Sequence, residues 1–219
     1  MTSASGPPAS PVPPLILASR SPRRAALLRQ MGFDFSIVWK EVDESLKDRT
    51  DPAETVLSLS ALKAEAVLPG IAGGLIVGAD TVVVLEGDLL GKPESQIEAG
   101  RMLRRLSGRT HEVFTGFTLI DAGTNRRVSD VERTAVTFRR LDDWEIDEYV
   151  STGMPMDKAG AYGIQDRSGL FVDRIDGCFY NVVGFPLTKF FEGLKKLVGP
   201  AAVRKMLSRP GHAPSERNG

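Results

Sequence analysis

The sequence is poor in cysteine and histidine, with one cysteine, Cys178, and two histidines among 219 residues. A single cysteine excludes an intramolecular disulfide framework and a cysteine-rich zinc site, and it fits a reducing compartment. We therefore expect a cytoplasmic protein. His111 and His212 do not form a metal pair, because His111 opens a predicted strand, where a structural role is favoured, and His212 lies in the C-terminal stretch.

An excess of charge and a long apolar run are also missing. Lysine plus arginine and aspartate plus glutamate each number 28, so the net charge is zero. Without a basic field or a groove-reading motif, we expect no nucleic-acid partner. No apolar stretch approaches the roughly 18–20 residues that span a bilayer, and the N-terminus lacks the order of a signal peptide. We therefore expect no membrane partner either.

The first local signal is a strand, a tight turn and a helix. Leu15–Leu17 is typical of a buried strand, Ser21 of a helix N-cap and Pro22 of a first helical position. Hydroxyl and guanidinium groups surround the helix start, on Ser19, Arg20, Arg23 and Arg24. Free N–H groups, the helix dipole and arginines together favour an anion, with phosphate the obvious choice. An ordinary capped helix with solvated arginines is the alternative.

The remaining pattern predicts an α/β fold with a mixed, strongly twisted central sheet flanked by helices. Helices are expected at about residues 22–31, 52–68, 94–106, 143–153, 186–197 and 201–207. Strands are expected at 35–39, 75–85, 111–120 and 127–141, followed by a hairpin of 170–175 and 179–183 across Asp176 and Gly177. Residues 1–14 are interpreted as a disordered N-terminal tail and 208–219 as a flexible C-terminal tail.

Asp80 is the sharpest candidate for chemistry because it interrupts the most strand-like run of the chain, residues 75–85. A carboxylate in a central strand costs free energy unless it is paired, metal-bound or facing a cavity. A structural aspartate that caps a turn or pairs with an arginine is the alternative. We favour a functional group, since Thr81 adds a hydroxyl and Gly78 allows close approach to the strand.

Two further groups of polar residues are weaker candidates. Lys63, Lys92 and Glu44 are each typical of solvated charges when taken singly, although Gly91 and Pro93 fix the backbone around Lys92. The carboxylate of Glu44, at a strand end, could hold a divalent metal ion. Lys158 and Gln165 lie in a glycine-rich stretch, where a glutamine could read the edge of a base. A tight loop with a hydrogen-bonded glutamine is an equal alternative.

With these segments in place, the sequence resembles the Maf family of nucleotide pyrophosphatases. The matching motifs follow the family order: 18–24 (ASRSPRR), 42–44 (VDE), 63–64 (KA), 78–81 (GADT), 91–93 (GKP), 106–111 (LSGRTH), 157–165 (DKAGAYGIQ) and 181–186 (NVVGFP). They cover roughly residues 15–197, so that only the tails lie outside. One departure is Arg20, at a position where a small or polar residue is also common.

The resemblance implies a Maf/ITPase-like fold of two lobes with a cleft between them, in one catalytic domain at 15–207. It implies hydrolysis of a nucleoside triphosphate between the α- and β-phosphates, the activity of a nucleotide diphosphatase, with Mg²⁺ or Mn²⁺ as cofactor. Asp80 would be the proton acceptor, and Glu44 and Asp80 are the candidate metal ligands. The substrate-binding positions would be Ser19, Arg23, Arg24, Lys63, Thr81, Lys92, Lys158 and Gln165, of which Arg23, Thr81 and Gln165 are associated with substrate choice.

Within the family, the sequence is more similar to the branch that acts on dTTP and UTP, which would release the monophosphate and pyrophosphate in a house-cleaning role against non-standard nucleotides. Two alternatives stay open. One is a pyrophosphatase for 7-methyl-GTP or another modified nucleotide, and the other is a non-catalytic nucleotide-binding regulator of cell division. The resemblance is also compatible with a homodimer.

Overall fold

The protein is described by a computed structural model that covers residues 12–44 and 51–207. The tails predicted from the sequence fall largely on residues 1–11 and 208–219, which lie outside the described residues. At the start of the described chain, the carbonyl of Pro14 accepts a hydrogen bond of 2.8 Å from the amide of Leu75. The backbone just before the first strand is therefore attached to the central sheet.

Seven strands of the described residues form one mixed sheet. They are β1 (Leu15–Leu17), β2 (Phe35–Ile37), β3 (Leu75–Leu85), β4 (Asp88–Leu90), β5 (Thr110–Asp121), β6 (Arg127–Phe138) and β7 (Val172–Asp176). The order is β2-β1-β3-β5-β6-β7, and β4 pairs with β3. The β1 strand is parallel to β2 and β3, and the other pairings are antiparallel. This confirms the predicted α/β class and its mixed sheet.

The sheet is flanked by α1 (Pro22–Gln30), α2 (Pro52–Val67), α3 (Gln96–Leu106), α4 (Asp143–Ser151), α5 (Phe179–Val183), α6 (Leu187–Val198) and α7 (Pro200–Leu207). The predicted N-cap is observed, since Ser21 Oγ accepts from the Arg24 amide. The α2 helix is capped in the same way by Asp51, whose Oδ1 accepts from the amides of Ala53 and Glu54. Among the described residues, no helix has the length and apolar character needed to cross a membrane.

The predicted hairpin at 170–183 is wrong in its second half, because Phe179–Val183 is the short helix α5. The reason is tertiary. The buried amide of Asn181 donates to the carbonyl of Val113 and to Thr134 Oγ1, at 2.9 Å each, which one turn of helix makes possible. The helix ends at Gly184, whose φ of 111° is accessible to glycine. These contacts outweigh the strand propensity of the local sequence.

Two large apolar clusters divide the core into two lobes. The first packs α1, α6 and α7 against the sheet, around Leu28, Phe117 and Phe190. The second packs α3 and α4 at the other end of the long strands, around Leu103 and Phe138. One cleft is lined by residues of both clusters, as the two-lobed expectation required.

The position of this cleft follows from the unequal lengths of the strands. The β5 strand pairs with β3 from Leu75 to Val84. On the opposite side of β3, β1 covers only residues 75–77 and β4 only residues 83–85. Within the described chain, residues 78–82 therefore have no strand partner on that side, and Asp80 and Thr81 lie in this interval.

Candidate active site

A cleft of about 570 Å³ opens beside the unpaired interval of β3. It is bounded by the turn that follows β1, by the start of α1, by α2 and by the loops of the second lobe. The structure brings all of the predicted substrate-binding, catalytic and metal-ligand residues into its lining: Ser19, Arg23, Arg24, Glu44, Lys63, Asp80, Thr81, Lys92, Lys158 and Gln165. Their individual roles stay predictions, but their convergence is a finding.

Two carboxylates converge on the ammonium of Lys63. Lys63 Nζ donates to Asp80 Oδ1 and lies 3.0 Å from Glu44 Oε1. The side chains of Lys63 and Asp80 are only 11% and 10% exposed. Lys92 Nζ lies 3.7 Å from the other oxygen of Glu44. The central strand, the α2 helix and two loops thus each contribute one charged group to a single cluster.

The environment of Glu44 favours its ionised form. Burial acts to raise the pKa of this carboxyl group, but the charge and hydrogen bond of Lys63, together with Lys92 and Arg24, outweigh burial. The pKa of Glu44 is therefore lowered from its ordinary value. A carboxylate near neutral pH is the form that could bind a divalent cation.

The two carboxylates offer oxygen atoms of the kind that bind divalent metal ions. In residues 12–44 and 51–207, no group of three or more His, Cys, Asp or Glu side chains is arranged to hold a metal by itself. Mg²⁺, however, usually takes one or two protein carboxylates and completes its shell with water and substrate phosphates. Asp80 and Glu44 already share one cation, the Lys63 ammonium. Their oxygen atoms therefore form a suitable partial ligand set.

Arg24 lies beneath the turn and joins three elements. Its Nη1 donates to Ser19 Oγ at 3.2 Å, its Nη2 to Thr81 Oγ1 at 3.1 Å and its Nε to the carbonyl of Gly184 at 2.9 Å. Burial lowers the pKa of Arg24, although an arginine remains charged in proteins. The guanidinium thus fixes the shape of the cleft wall as well as adding positive charge to it.

Thr81 lies on the opposite face of β3 from Asp80, as alternation along a strand requires. Its hydroxyl is 2.9 Å from Thr115 Oγ1 on the neighbouring strand. Thr115 Oγ1 in turn donates to the carbonyl of Asn181 at 3.1 Å. Because the sheet is open at this point, residues from both of its faces reach the same cleft.

Arg23 crosses the cleft to Asp157, a residue to which the sequence analysis assigned no role. Arg23 Nη1 donates to Asp157 Oδ2 at 2.7 Å, and Nη2 donates to the Asp157 carbonyl at 3.3 Å. Lys158 Nζ is bound by Asp157 Oδ1, by the carbonyl of Met154 and by Asp166 Oδ2. The only sequence signal for Asp157 is its place at the head of the glycine-rich motif.

Gln165 and Trp39 are among the lining side chains that are open to solvent. Gln165 is exposed, and its amide bonds to no other side chain or backbone group of the described residues. Trp39 is 44% exposed, and the guanidinium carbon of Arg20 lies 4.6 Å from the centroid of its ring. Trp39 is the last residue of the strand predicted at 35–39, but the observed strand ends at Ile37. An aromatic residue at the end of a predicted strand was the only available signal for it.

The similarity to known proteins extends over the part of the chain that contains these residues. The family profile described as "Maf-like protein" matches residues 14–197. The chain belongs to the Maf family. The "dTTP/UTP pyrophosphatase" of Desulforamulus reducens is 45% identical over 182 residues, which are 83% of this chain and 95% of the relative. The "dTTP/UTP pyrophosphatase" of Moorella thermoacetica is 49% identical over 178 residues, which are 81% of this chain and 92% of the relative.

Among solved structures, this Maf family chain is similar to the Staphylococcus aureus Ham1 protein, with 13% identity and a TM-score of 0.41. The match covers 57% of this chain and 71% of that chain. A likeness of this size is too slight to bear on function. The assignment to the Maf family depends on the profile match and on relatives that are similar over nearly their whole length.

Proposed function

We propose that this Maf family protein hydrolyses dTTP and UTP between the α- and β-phosphates, releasing the nucleoside monophosphate and pyrophosphate. The observation that carries the proposal is the convergence of acidic and basic side chains on one cleft beside the open interval of β3, among them Glu44, Asp80, Lys63, Lys92, Arg23 and Arg24. The relatives named dTTP/UTP pyrophosphatase support the choice of substrates.

The basic side chains suit a polyphosphate. A nucleoside triphosphate carries several negative charges, and the chain as a whole has no net charge with which to attract it. Lys92 has a side chain that is 56% exposed and only a long contact to Glu44, so it is free to turn toward a phosphate. The Ser19 hydroxyl and the guanidinium of Arg23 would bind phosphate oxygens from the side of α1.

Asp80 is proposed as the proton acceptor. Lys63 holds its Oδ1, while Oδ2 has no hydrogen bond to any described residue. That oxygen can accept a proton from a water molecule that attacks the phosphoanhydride. Lys63 then orients the carboxylate and offsets the negative charge of the substrate. Phosphoryl chemistry depends mainly on positioning and charge stabilisation, so no covalent nucleophile is required.

Glu44 and Asp80 are proposed to hold a Mg²⁺ or Mn²⁺ ion together with the phosphates of the substrate. A divalent cation bound there would neutralise phosphate charge and lower the pKa of a coordinated water. Within the protein, Lys63 now bridges the two carboxylates. Its ammonium would have to release at least one of them when both bind a metal ion.

Gln165 is proposed to select the base. Thymine and uracil share an acceptor at O4 and a donor at N3, and one carboxamide group offers the matching donor and acceptor. The side chain is exposed in the cleft, and its amide makes no hydrogen bond to the described residues, so it is available for such a contact.

Four further expectations stay predictions: the cytoplasmic location, the house-cleaning role, a homodimer and the absence of a nucleic-acid partner.

The direct test is a panel of nucleotides with Mg²⁺ or Mn²⁺, in which pyrophosphate and monophosphate are both measured. We expect turnover of dTTP and UTP, and a loss of roughly 100-fold or more in kcat for Asp80→Asn. Asp173→Asn, on an exposed part of β7, is the matched control and should retain full activity. A preference for 7-methyl-GTP, or binding without turnover, would contradict the proposal and favour the two alternatives respectively.

A further inference from the structure

A continuous series of charged groups links the two lobes across the cleft. Arg23 belongs to α1 in the first lobe, and Asp157 lies 134 positions further along the chain, in the loops of the second lobe. Both terminal nitrogens of Arg23 donate to Asp157, one to the carboxylate and one to the backbone carbonyl. The two contacts fix the plane of the guanidinium as well as its distance from Asp157.

The series continues from Asp157 into the core of the second lobe. Lys158 Nζ lies 2.7 Å from Asp157 Oδ1 and 3.3 Å from Asp166 Oδ2. Asp166 Oδ1 accepts hydrogen bonds from the amide and the hydroxyl of Ser168, at 2.9 and 2.7 Å, and from the hydroxyl of Tyr149 at 3.2 Å. Ser168 and Tyr149 are buried. Asp157 is thereby attached to a rigid part of the molecule.

The backbone next to this series is shaped to hold Lys158 in place. A Cβ atom added at Gly163 would lie 2.6 Å from Cε and 2.8 Å from Cδ of Lys158. The lysine chain therefore lies flat against the Gly163 backbone, in a position that a larger residue would obstruct. With its ammonium bound by two carboxylates and a carbonyl, Lys158 has little freedom to turn toward a substrate.

We propose that Asp157 is a positioning residue: it holds the guanidinium of Arg23 in the orientation in which it binds the nucleotide. The inference rests on the proposed function and deepens it. A free arginine side chain loses conformational entropy when it binds an anion, and an arginine already held in place has lost that freedom beforehand. Because Arg23 and Lys158 both neutralise Asp157, its carboxylate adds little repulsion toward the phosphates.

The test compares steady-state kinetics of UTP hydrolysis in Asp157→Ala, Asp157→Glu and Arg23→Gln. We expect Asp157→Ala to raise KM roughly tenfold with kcat changed less than about threefold, since binding but not chemistry is affected. Asp157→Glu keeps the charge and should restore most of the affinity. In the Arg23→Gln background, Asp157→Ala should have almost no further effect, because the residue on which it acts is gone.

Asp143→Ala is the matched control. Asp143 accepts from Arg104 Nε at 2.7 Å in an exposed ion pair outside the cleft, and its loss should leave KM unchanged. The inference is overturned if Asp157→Ala has the KM of the wild type, or if it raises KM equally in the presence and absence of Arg23.

Failure of the proposed function has a different signature, which is the absence of pyrophosphate release by the wild type from any nucleotide of the panel. In that event, the affinity for UTP measured by calorimetry decides the inference. Tenfold weaker binding by Asp157→Ala supports the positioning role, and equal binding overturns it.

Discussion

Gly78 of β3 lies directly against Ser60 of α2, so close that a Cβ atom at Gly78 would stand 2.2 Å from the Ser60 carbonyl oxygen. The same atom would lie 2.8 Å from the backbone nitrogen of Ala64. The helix therefore rests on the bare backbone of the strand. This approach brings Lys63, the residue before Ala64, within hydrogen-bonding distance of Asp80, two positions beyond Gly78.

Gly78→Ala should both destabilise the protein and impair the site. The new methyl group meets backbone atoms that cannot rotate away, and such overpacking typically costs about 1–3 kcal/mol in the free energy of unfolding. Displacement of α2 would also separate Lys63 from Asp80. Urea unfolding and pyrophosphate release measure the two effects. Gly73→Ala, where no atom lies within 4 Å of the added Cβ, should be neutral in both assays. Equal stability of the Gly78 and Gly73 variants would contradict the expectation.

Arg24→Lys should weaken the cleft wall although it keeps the positive charge. An ammonium group cannot reach Ser19 Oγ, Thr81 Oγ1 and the Gly184 carbonyl in the fork geometry of a guanidinium. Each buried acceptor left unpaired typically costs about 1–3 kcal/mol. We expect a lower free energy of unfolding and a reduced kcat/KM for UTP. The control is Arg101→Lys on the exposed face of α3, which should leave stability unchanged.

The buried side chain of His111 should make stability depend on pH. Burial lowers the pKa of His111 from 6.5 to about 4, and its Nε2 is paired with Tyr162 Oη. Between these values the unfolded chain binds a proton that the folded chain does not, so stability falls as the pH decreases. Between pH 7 and pH 5 the free energy of unfolding should fall by about 2 kcal/mol from this residue.

Comparison with His111→Gln isolates that contribution, since the carboxyl groups and His212 are common to both proteins. The variant should be less stable at pH 7 but should lose less of its stability on acidification. If wild type and variant have parallel stability profiles between pH 7 and pH 5, the histidine is not the source of the pH dependence.

Gln165→Leu should affect recognition of the base and leave recognition of the phosphates intact. Loss of the paired donor and acceptor removes two hydrogen bonds of about 0.5–1.5 kcal/mol each, so KM for UTP should rise roughly fivefold to 150-fold. Inorganic tripolyphosphate carries no base and should inhibit wild type and variant equally. Lys92→Gln should show the opposite pattern and weaken inhibition by tripolyphosphate. Weaker inhibition of the Gln165 variant by tripolyphosphate would place this residue among the phosphate ligands instead.

Local signals predicted those elements whose formation is decided within a few residues. The predicted Ser21 cap marks the start of α1, and the apolar run of 75–85 is the central strand because nearly all of its side chains are buried. The candidate site residues were reached from Asp80, because a carboxylate in such a strand has few structural explanations; the structure places these residues in one cleft, and their roles stay predictions. Motifs in the family order then connected Asp80 with the basic residues.

Other features depend on contacts between distant parts of the chain and could not be predicted in this way. The strand propensity of Phe179–Val183 gave no sign that Asn181 would reach Val113 and Thr134 as part of a helix. Nor does any local pattern show that Arg24 points inward while its neighbour Arg23 points across the cleft to Asp157. Two adjacent arginines look alike in a sequence, and only the folded structure shows which groups each guanidinium contacts.

The three-residue length of β1 sets the room available to a substrate. Had β1 continued for five more residues, it would have paired with the bare edge of β3 and sealed it with main-chain hydrogen bonds. The molecule would then be a more complete sheet with nowhere to admit a nucleotide. The early end of one short strand is thus what leaves a binding cleft in the sheet instead of a continuous edge.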